Sequence, residues 1–453
     1  MIPPKPPSRP DRVSLWRYMK LFRRDILSAQ PERLYRAWMA EFRTPFFRSY
    51  LANDPDLLTT ILKSRPQDFP KSNRIGEGLR PLLGNSVFLT NGETWERQRR
   101  IIDPAFERGR LANTLPAMWE AGTAMVARLS AQINAGADVE IEELASHAAA
   151  DVIFRTLFSV PIEDETTTKI FHEFRRYQRA QPILNLAAFV PLPRWMPRFH
   201  RNDTRASAAQ IRALIAQLVE TRRDEIARGV APDDLATRIM TTVDPETGQT
   251  FSADEMVDQV AIFFLAGHET SASALAWALY LCAAFPDWQK KVAEEATELE
   301  TPSDVRRLTI SRDVFRETLR LYPPVPMMVR EAARPETFRK RATRKSAQLV
   351  LSPWHLHRHT RLWTNPDGFD PARWQDEDSR QSIRNAYMPF STGPRVCPGA
   401  GFAMAEGPLL MSMFLRAFEV STLPEKTPEP VAHLTVRAKD GIWLCVKPRN
   451  QKR

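Results

Sequence analysis

A chain of 453 residues with 43% hydrophobic and 26% charged residues can bury a large core and is not disordered. Proline is abundant at 37 and glycine scarce at 16, which favours helices ended by prolines and disfavours glycine-rich sandwiches, propellers and collagen-like repeats. The net charge of +10 suits nucleic acid, an anionic membrane or an acidic protein, but the basic residues run along the whole chain without a zinc-finger or basic-zipper motif, so a generic basic surface is the favoured reading.

In chain order, residues 1–13 are rich in Pro and Arg and are expected to form an extended arm, leaving 14–453 as one domain. No stretch there is apolar enough for a signal peptide, and no membrane anchor is expected. From about residue 30 to 330 helical periodicity dominates, notably over 116–134, 205–228 and 253–285, with a proline-bearing joint at 182–197. Within that joint, 186–195 reads either as a lid or as ordinary packing. Strand-like pieces are short, the clearest being Ala347–Leu351 and Ile442–Val446. The cysteines Cys282, Cys397 and Cys445 are odd in number and far apart, which excludes a disulfide framework and a Cys-x-x-Cys site and points to a cytoplasmic location.

The 253–285 segment opens with Ser252 and Glu255, spaced for a capping box, and about 33 residues at 1.5 Å each make a rod of roughly 50 Å. At its centre stands Ala266-Gly267-His268-Glu269-Thr270, where glycine costs about 1 kcal/mol relative to alanine. Taken alone, this stretch is equally explained by close helix packing at Gly267 and a Thr270 hydroxyl bonded back to a carbonyl.

Phe390-Ser391-Thr392-Gly393-Pro394-Arg395-Val396-Cys397-Pro398-Gly399 precedes an apolar helical run, Phe402–Phe418. Pro398 suits a first helical position, and a cysteine just ahead of a helix and close to Arg395 is placed to be a thiolate and metal ligand. A lone cysteine is otherwise a small buried hydrophobe.

The pattern Phe390-x-x-Gly393-x-Arg395-x-Cys397-x-Gly399 resembles the haem-binding loop of the cytochrome P-450 superfamily. The stretch Ala266–Thr270 is similar to the family's oxygen-activating motif, Glu317-Thr318-Leu319-Arg320 to its Glu-x-x-Arg motif, and Phe369–Trp374 to the segment supplying the second arginine of a Glu–Arg–Arg triad. The resemblance runs from about residue 40 to the C-terminus. It implies a mainly α fold, a single large helical domain with small sheets, holding haem b between the long central helix and the helix after the cysteine loop.

By the same resemblance Cys397 is the axial iron ligand, and a thiolate there favours O–O cleavage. Glu269 and Thr270 organise water for proton delivery. Trp95, Arg99, Arg330 and Arg395 are the contacts to the haem propionates, and Glu317, Arg320 and Arg373 form the structural triad. Without the family, Glu317 and Arg320 read as a solvated surface pair. Phe88, Leu89, Leu265, Ala266 and Val325 are candidates for the substrate pocket, each also readable as an ordinary core residue. His268 is read as no metal ligand, and the hairpin at 338–346 lacks the glycines common in the family, which leaves its turn type open.

The implied activity is a monooxygenase that uses dioxygen to hydroxylate or epoxidise an apolar small molecule. A peroxide-using or isomerising enzyme of the same fold is one alternative, and a basic helical nucleic-acid binder without haem is another. Gly399-Ala-Gly401-Phe-Ala-Met404 follows no strand and ends in Met, so no dinucleotide site is expected. Electrons are therefore expected from a separate acidic ferredoxin or flavodoxin with its reductase, docking on a basic patch to which Arg110, near the Arg97–Arg100 cluster, and Arg395 contribute.

Overall fold

The helix Ala253–Ala284 runs through the middle of the protein. In this computed structural model, which describes residues 2–43, 48–133, 136–180 and 202–449, it is apolar nearly all round, as a helix buried on every side must be. Its start is the expected capping box: Ser252 Oγ accepts from Glu255 N–H at 3.2 Å, and the Glu255 carboxylate accepts from Ser252 N–H at 2.9 Å. Its end is forced by Pro286, which opens the next helix, Pro286–Glu295. The joint at 182–197 and the candidate lid at 186–195 lie outside the described residues.

The expected helices at 116–134 and 205–228 are Leu115–Gln132 and Asn202–Ala227. Ile141–Phe158 packs along the central helix so closely that a Cβ on Gly267 would lie 2.4 Å from Ile153 Cδ1. Ala400–Ala417, the helix after the cysteine loop, packs on the opposite partners, with Gly122 against Met413 and Gly407 against Phe315 of the helix Thr309–Leu321.

Strands are more numerous than the sequence suggested, because several are only three to five residues long and carry no alternation to read. Met39–Arg43 pairs antiparallel with Arg48–Ala52, which pairs parallel with Gln348–Leu351, which in turn pairs antiparallel with Met328–Glu331. Phe418–Thr422, Trp443–Pro448 and Ala137–Glu140 form a second antiparallel sheet. The hairpin Glu336–Phe338/Arg341–Thr343 turns through Arg339 (φ 44°) and Lys340 (φ 64°). Both turn residues are left-handed, so this is the primed turn that matches strand twist, made here without glycine.

The N-terminal residues run extended against the body. Tyr322 donates to Pro4 O at 2.8 Å, Lys5 pairs with Asp367 at 2.9 Å, and Arg9 Nε donates to Ala29 O at 2.6 Å. Among the described residues no helix is long and apolar enough to cross a membrane.

Candidate active site

The cysteine loop is closed by its own backbone: Cys397 N–H donates to Phe390 O and Val396 N–H to Gly393 O, each at 3.0 Å. Gly393 has φ 75°, and a Cβ there would sit 2.0 Å from Leu62 O, so only glycine fits. Pro398 lies in the turn ahead of Ala400–Ala417 rather than at its first position, which corrects the expected helix start. The Cys397 side chain is exposed to a space that protein surrounds. That enclosure pushes the thiol above its ordinary value, opposed by the Gly399 N–H and by Arg99. The cation that favours the thiolate is Arg99, where the sequence pointed to Arg395; a bound metal ion deprotonates such a thiol outright.

Cations converge beside this loop. Arg395 is buried, donates to Pro66 O (2.9 Å) and Phe69 O (3.0 Å), and lies 5.1 Å from the Trp95 ring centroid. Arg99, one helical turn after Trp95 on Gly92–Ile102, pairs with Asp103 at 2.7 Å and donates to Val396 O at 2.7 Å, which ties this helix to the cysteine loop. Arg330 is buried on Met328–Glu331, with its Nε lacking a partner, and burial and Arg395 lower its guanidinium to about 10. Lys71, which no motif marks, bridges to Arg330 and has its ammonium held well below the ordinary value by burial and by Arg395, Arg330 and Arg99. Like charges so enclosed, with partnerless Nε atoms on Arg330 and Arg395, fit an anionic group such as a pair of haem propionates.

Glu317, Arg320 and Arg373 meet as expected and are all buried. Arg320 grips both Glu317 oxygens at 2.9 and 2.8 Å, Arg373 Nε donates to Glu317 at 3.0 Å, and Asp370 N–H adds a fourth donor at 3.0 Å. Arg320 also donates to the carbonyls of His357, Pro366 and Gly368. His357, another residue without a sequence signal, continues the chain of bonds. Its Nδ1 meets Arg320 O at 3.2 Å and its Nε2 accepts from Met388 N–H at 2.9 Å, two residues before Phe390. Burial and Arg320 lower this imidazole to about 3, so it is neutral with its proton on Nδ1.

On the central helix, Thr270 Oγ1 donates to Ala266 O at 2.5 Å. Glu269 is buried and held from both sides: Thr435 donates to Oε1 at 2.6 Å, Arg437 lies 3.1 Å from the same oxygen, and Gln178 donates to Oε2 at 3.1 Å. His268 is a core residue, bonded to Ser146 Oγ at 2.7 Å between Phe171 and Phe264, with burial lowering it to about 3. Ser271 donates at 2.6 Å to Glu406, fully buried on Ala400–Ala417, whose carboxyl burial raises to about 8. A carboxylate inside the apolar run Phe402–Phe418 is the sequence signal that marks Glu406.

A cavity of about 1290 Å³ is lined by Leu265, Glu269, Ala272, Pro326 and Met327, among others. Of the pocket candidates only Leu265 borders it. Leu89 packs in the core, while Phe88 and Val325 are 46% and 36% exposed and Ala266 is exposed. In the proposed docking patch, Arg395 is buried, Arg97 pairs with Glu255, and Arg100 pairs with Asp244 and Glu246, while Arg110 stands exposed with its charge felt by Asp233.

Residues 29–446 match the family model "Cytochrome P450". The chain is 30% identical over 399 residues to cyclooctat-9-en-7-ol 5-monooxygenase of Streptomyces melanosporofaciens, covering 86% of this chain and 84% of that protein. It is 29% identical to cytochrome P450 4A10 of Mus musculus (87% and 80% covered) and 28% identical to a cytokinin hydroxylase of Arabidopsis thaliana (91% and 83%). The crystal structure of the cytochrome P450DA heme domain superposes with a TM-score of 0.80 at 24% identity, over 99% of this chain and 98% of that one. With a thiol loop, an enclosed cation cradle and a family match over nearly its whole length, the chain belongs to the cytochrome P450 family and is a haem enzyme of the oxidoreductase class.

Proposed function

We propose that the protein is a haem-thiolate monooxygenase that inserts one oxygen atom of dioxygen into an apolar small molecule. The observation that carries this is the meeting of Cys397, on a loop closed by Gly393, with the cation cradle of Lys71, Arg99, Arg330 and Arg395. Cys397 Sγ would hold the iron, and the cradle with Trp95 would hold the propionates. When bound, the haem supplies the reductive activation of dioxygen. The protein's own part is to exclude water and deliver protons. Glu269 and Thr270 are the proton-delivery residues, and with both Glu269 oxygens engaged, the Thr270 hydroxyl is the group free to turn from Ala266 O and hold a water.

Relatives named as a cyclooctat-9-en-7-ol monooxygenase and a cytokinin hydroxylase, and a cavity with Leu265, Ala272 and Met327 on its wall, support an apolar substrate. The net charge of +10 supports an acidic protein, a ferredoxin or flavodoxin with its reductase, as electron donor, and its reduction rate should fall as salt rises. A cytoplasmic location is part of this reading. The test is turnover under isotopically labelled dioxygen, with a surrogate ferredoxin system and a panel of terpenes, fatty acids and aromatics chosen by substrate-induced spin-state change. One labelled oxygen per product, dependent on reductant, is the expected result; unlabelled product, or product formed without reductant, contradicts the proposal.

A further inference from the structure

Asn91 stands immediately before the helix Gly92–Ile102, where an asparagine side chain ordinarily accepts from the first N–H groups of the helix. Here it caps nothing. Both ends of its amide go to one residue instead: Lys71 N–H donates to Asn91 Oδ1 at 2.9 Å, and Asn91 Nδ2 donates to Lys71 O at 3.1 Å. Lys71 is the cation of the cradle that no motif marks. Its ammonium donates to Val87 O at 2.6 Å and Thr90 O at 3.2 Å, so these bonds run round the start of the helix that carries Trp95 and Arg99.

Gly92, next in the chain, has φ 60°, is exposed, and would have nothing within 4 Å of a Cβ. As the first residue of its helix, its N–H has no carbonyl four residues back to bond. A backbone nitrogen so unhindered, following a side-chain amide, can attack it. Gly92 N bonds to Asn91 Cγ, the Cγ–Nδ2 bond breaks, and ammonia leaves with the proton from Gly92 N. One water then opens the five-membered imide at either carbonyl, giving aspartate or isoaspartate, with no oxidant or reductant involved. Every other asparagine in the sequence is followed by a residue with a side chain, which hinders this attack.

Lys71 couples the chemistry to haem. Arg395, Arg330 and Arg99 all act on its ammonium, and with no anion among them these like charges push apart. A pair of propionates would draw them together, hold Lys71 in place and so hold both amide bonds of Asn91. A carboxylate at position 91 has no N–H for Lys71 O and sets an oxygen against an oxygen. It also puts a negative charge beside a cation that the propionates need, and isoaspartate adds a carbon to the main chain at the helix start.

We propose that Asn91–Gly92 is a self-modification site keyed to the cofactor: the chain without haem deamidates there, and the product holds haem less firmly, so a chain that has lost its haem is retired. The haem half of this rests on reading the cation cradle as the propionate site.

The test ages haem-loaded and haem-stripped full chain side by side at mildly alkaline pH and maps the peptides by mass. The peptide holding Asn91 should gain about 1 Da, severalfold faster in the stripped protein, and should become a substrate for isoaspartyl methyl transfer. Asn385, exposed but followed by Ala386, should stay unchanged, and Asn91→Gln should remove the gain. Haem transfer to apomyoglobin should be severalfold faster from Asn91→Asp than from the parent. Within one aged parent sample the modified chains should be enriched in the haem-free fraction, a comparison that needs no variant to fold. Change at Asn385 ahead of Asn91, equal rates with and without haem, haem transfer from Asn91→Asp at the parent rate, or modified chains shared evenly between the two fractions overturns the proposal. A parent that binds no haem overturns the cradle reading and this proposal with it.

Discussion

Thr270 satisfies its hydroxyl inside its own helix, on Ala266 O at 2.5 Å. That bond alone makes it replaceable, since a back-bonded threonine contributes little to a helix and alanine is the better former by up to about 0.7 kcal/mol. If the hydroxyl instead serves proton delivery, stability and chemistry part company. Thr270→Ala should melt at the same temperature as the parent or slightly above it, and consume reductant at a similar rate. Its product per reductant should fall severalfold with peroxide released, and Thr270→Ser should restore it. Equal coupling in all three proteins would leave Thr270 with the back-bond as its whole role. Glu269 differs because its partners Thr435, Arg437 and Gln178 come from other parts of the chain, and its replacement disturbs the cavity wall as well.

Between elements, the Glu317–Arg320–Arg373 cluster joins the helix Thr309–Leu321 to the 3₁₀ turn Pro371–Trp374. His357 then carries the connection on to Met388 and so to the loop that ends in Cys397. Removing one member of a buried pair leaves an uncompensated charge, costing on the order of 3–5 kcal/mol. Arg373→Ala and Glu317→Gln should therefore lower the urea midpoint and yield little haem-loaded protein. His357→Phe should keep more stability but hold haem less firmly, since it removes two uncharged bonds, to Arg320 O and from Met388 N–H, and leaves no charge uncompensated. Full haem content in the Arg373 variant would show that the cluster does not support the loop. Much of this was legible in the sequence, because Glu-x-x-Arg and the cysteine loop demand particular side chains at fixed spacing. Lys71 and His357 were not, since each gains its role only by burial beside residues far along the chain, and the carboxylate that marks Glu406 in an apolar run does not name its partner Ser271. Most of the short strands escaped for a related reason: Arg48–Ala52 pairs parallel with Gln348–Leu351, which the sequence did mark, and no local pattern links the two segments.

For the whole molecule, buried titratable groups bound the pH range of stability from both sides. His268, His355 and His357 are held near pH 3 by burial, so below their ordinary value of 6.5 the unfolded chain takes up protons first, and stability falls as pH drops from 6.5 toward 3. Glu142 and Glu406 are raised by burial to about 7 and about 8 from an ordinary 4.5. The folded state holds those protons while the unfolded state releases them, so stability falls as pH rises from 4.5 toward 8. Glu406→Gln keeps an acceptor for Ser271 and has no proton to lose. It should melt like the parent near pH 5 and above it at pH 8, flattening the alkaline side of the curve. A parallel shift at all pH values would mean that Glu406 is ionised in the fold.

The central claim is that one thiol of three holds the iron of a haem. Cys282 is fully buried, with its thiol pushed up to about 12 by burial, and Cys445 sits in the strand Trp443–Pro448, paired on both sides. Only Cys397 combines an accessible sulfur with a neighbouring cation cradle. The carbon monoxide difference spectrum of the reduced protein reads this directly. The parent, Cys282→Ala and Cys445→Ala should each give the red-shifted thiolate band, and Cys397→Ala should give none. Retention of that band in Cys397→Ala, or its loss in either other variant with haem still bound, would contradict the account.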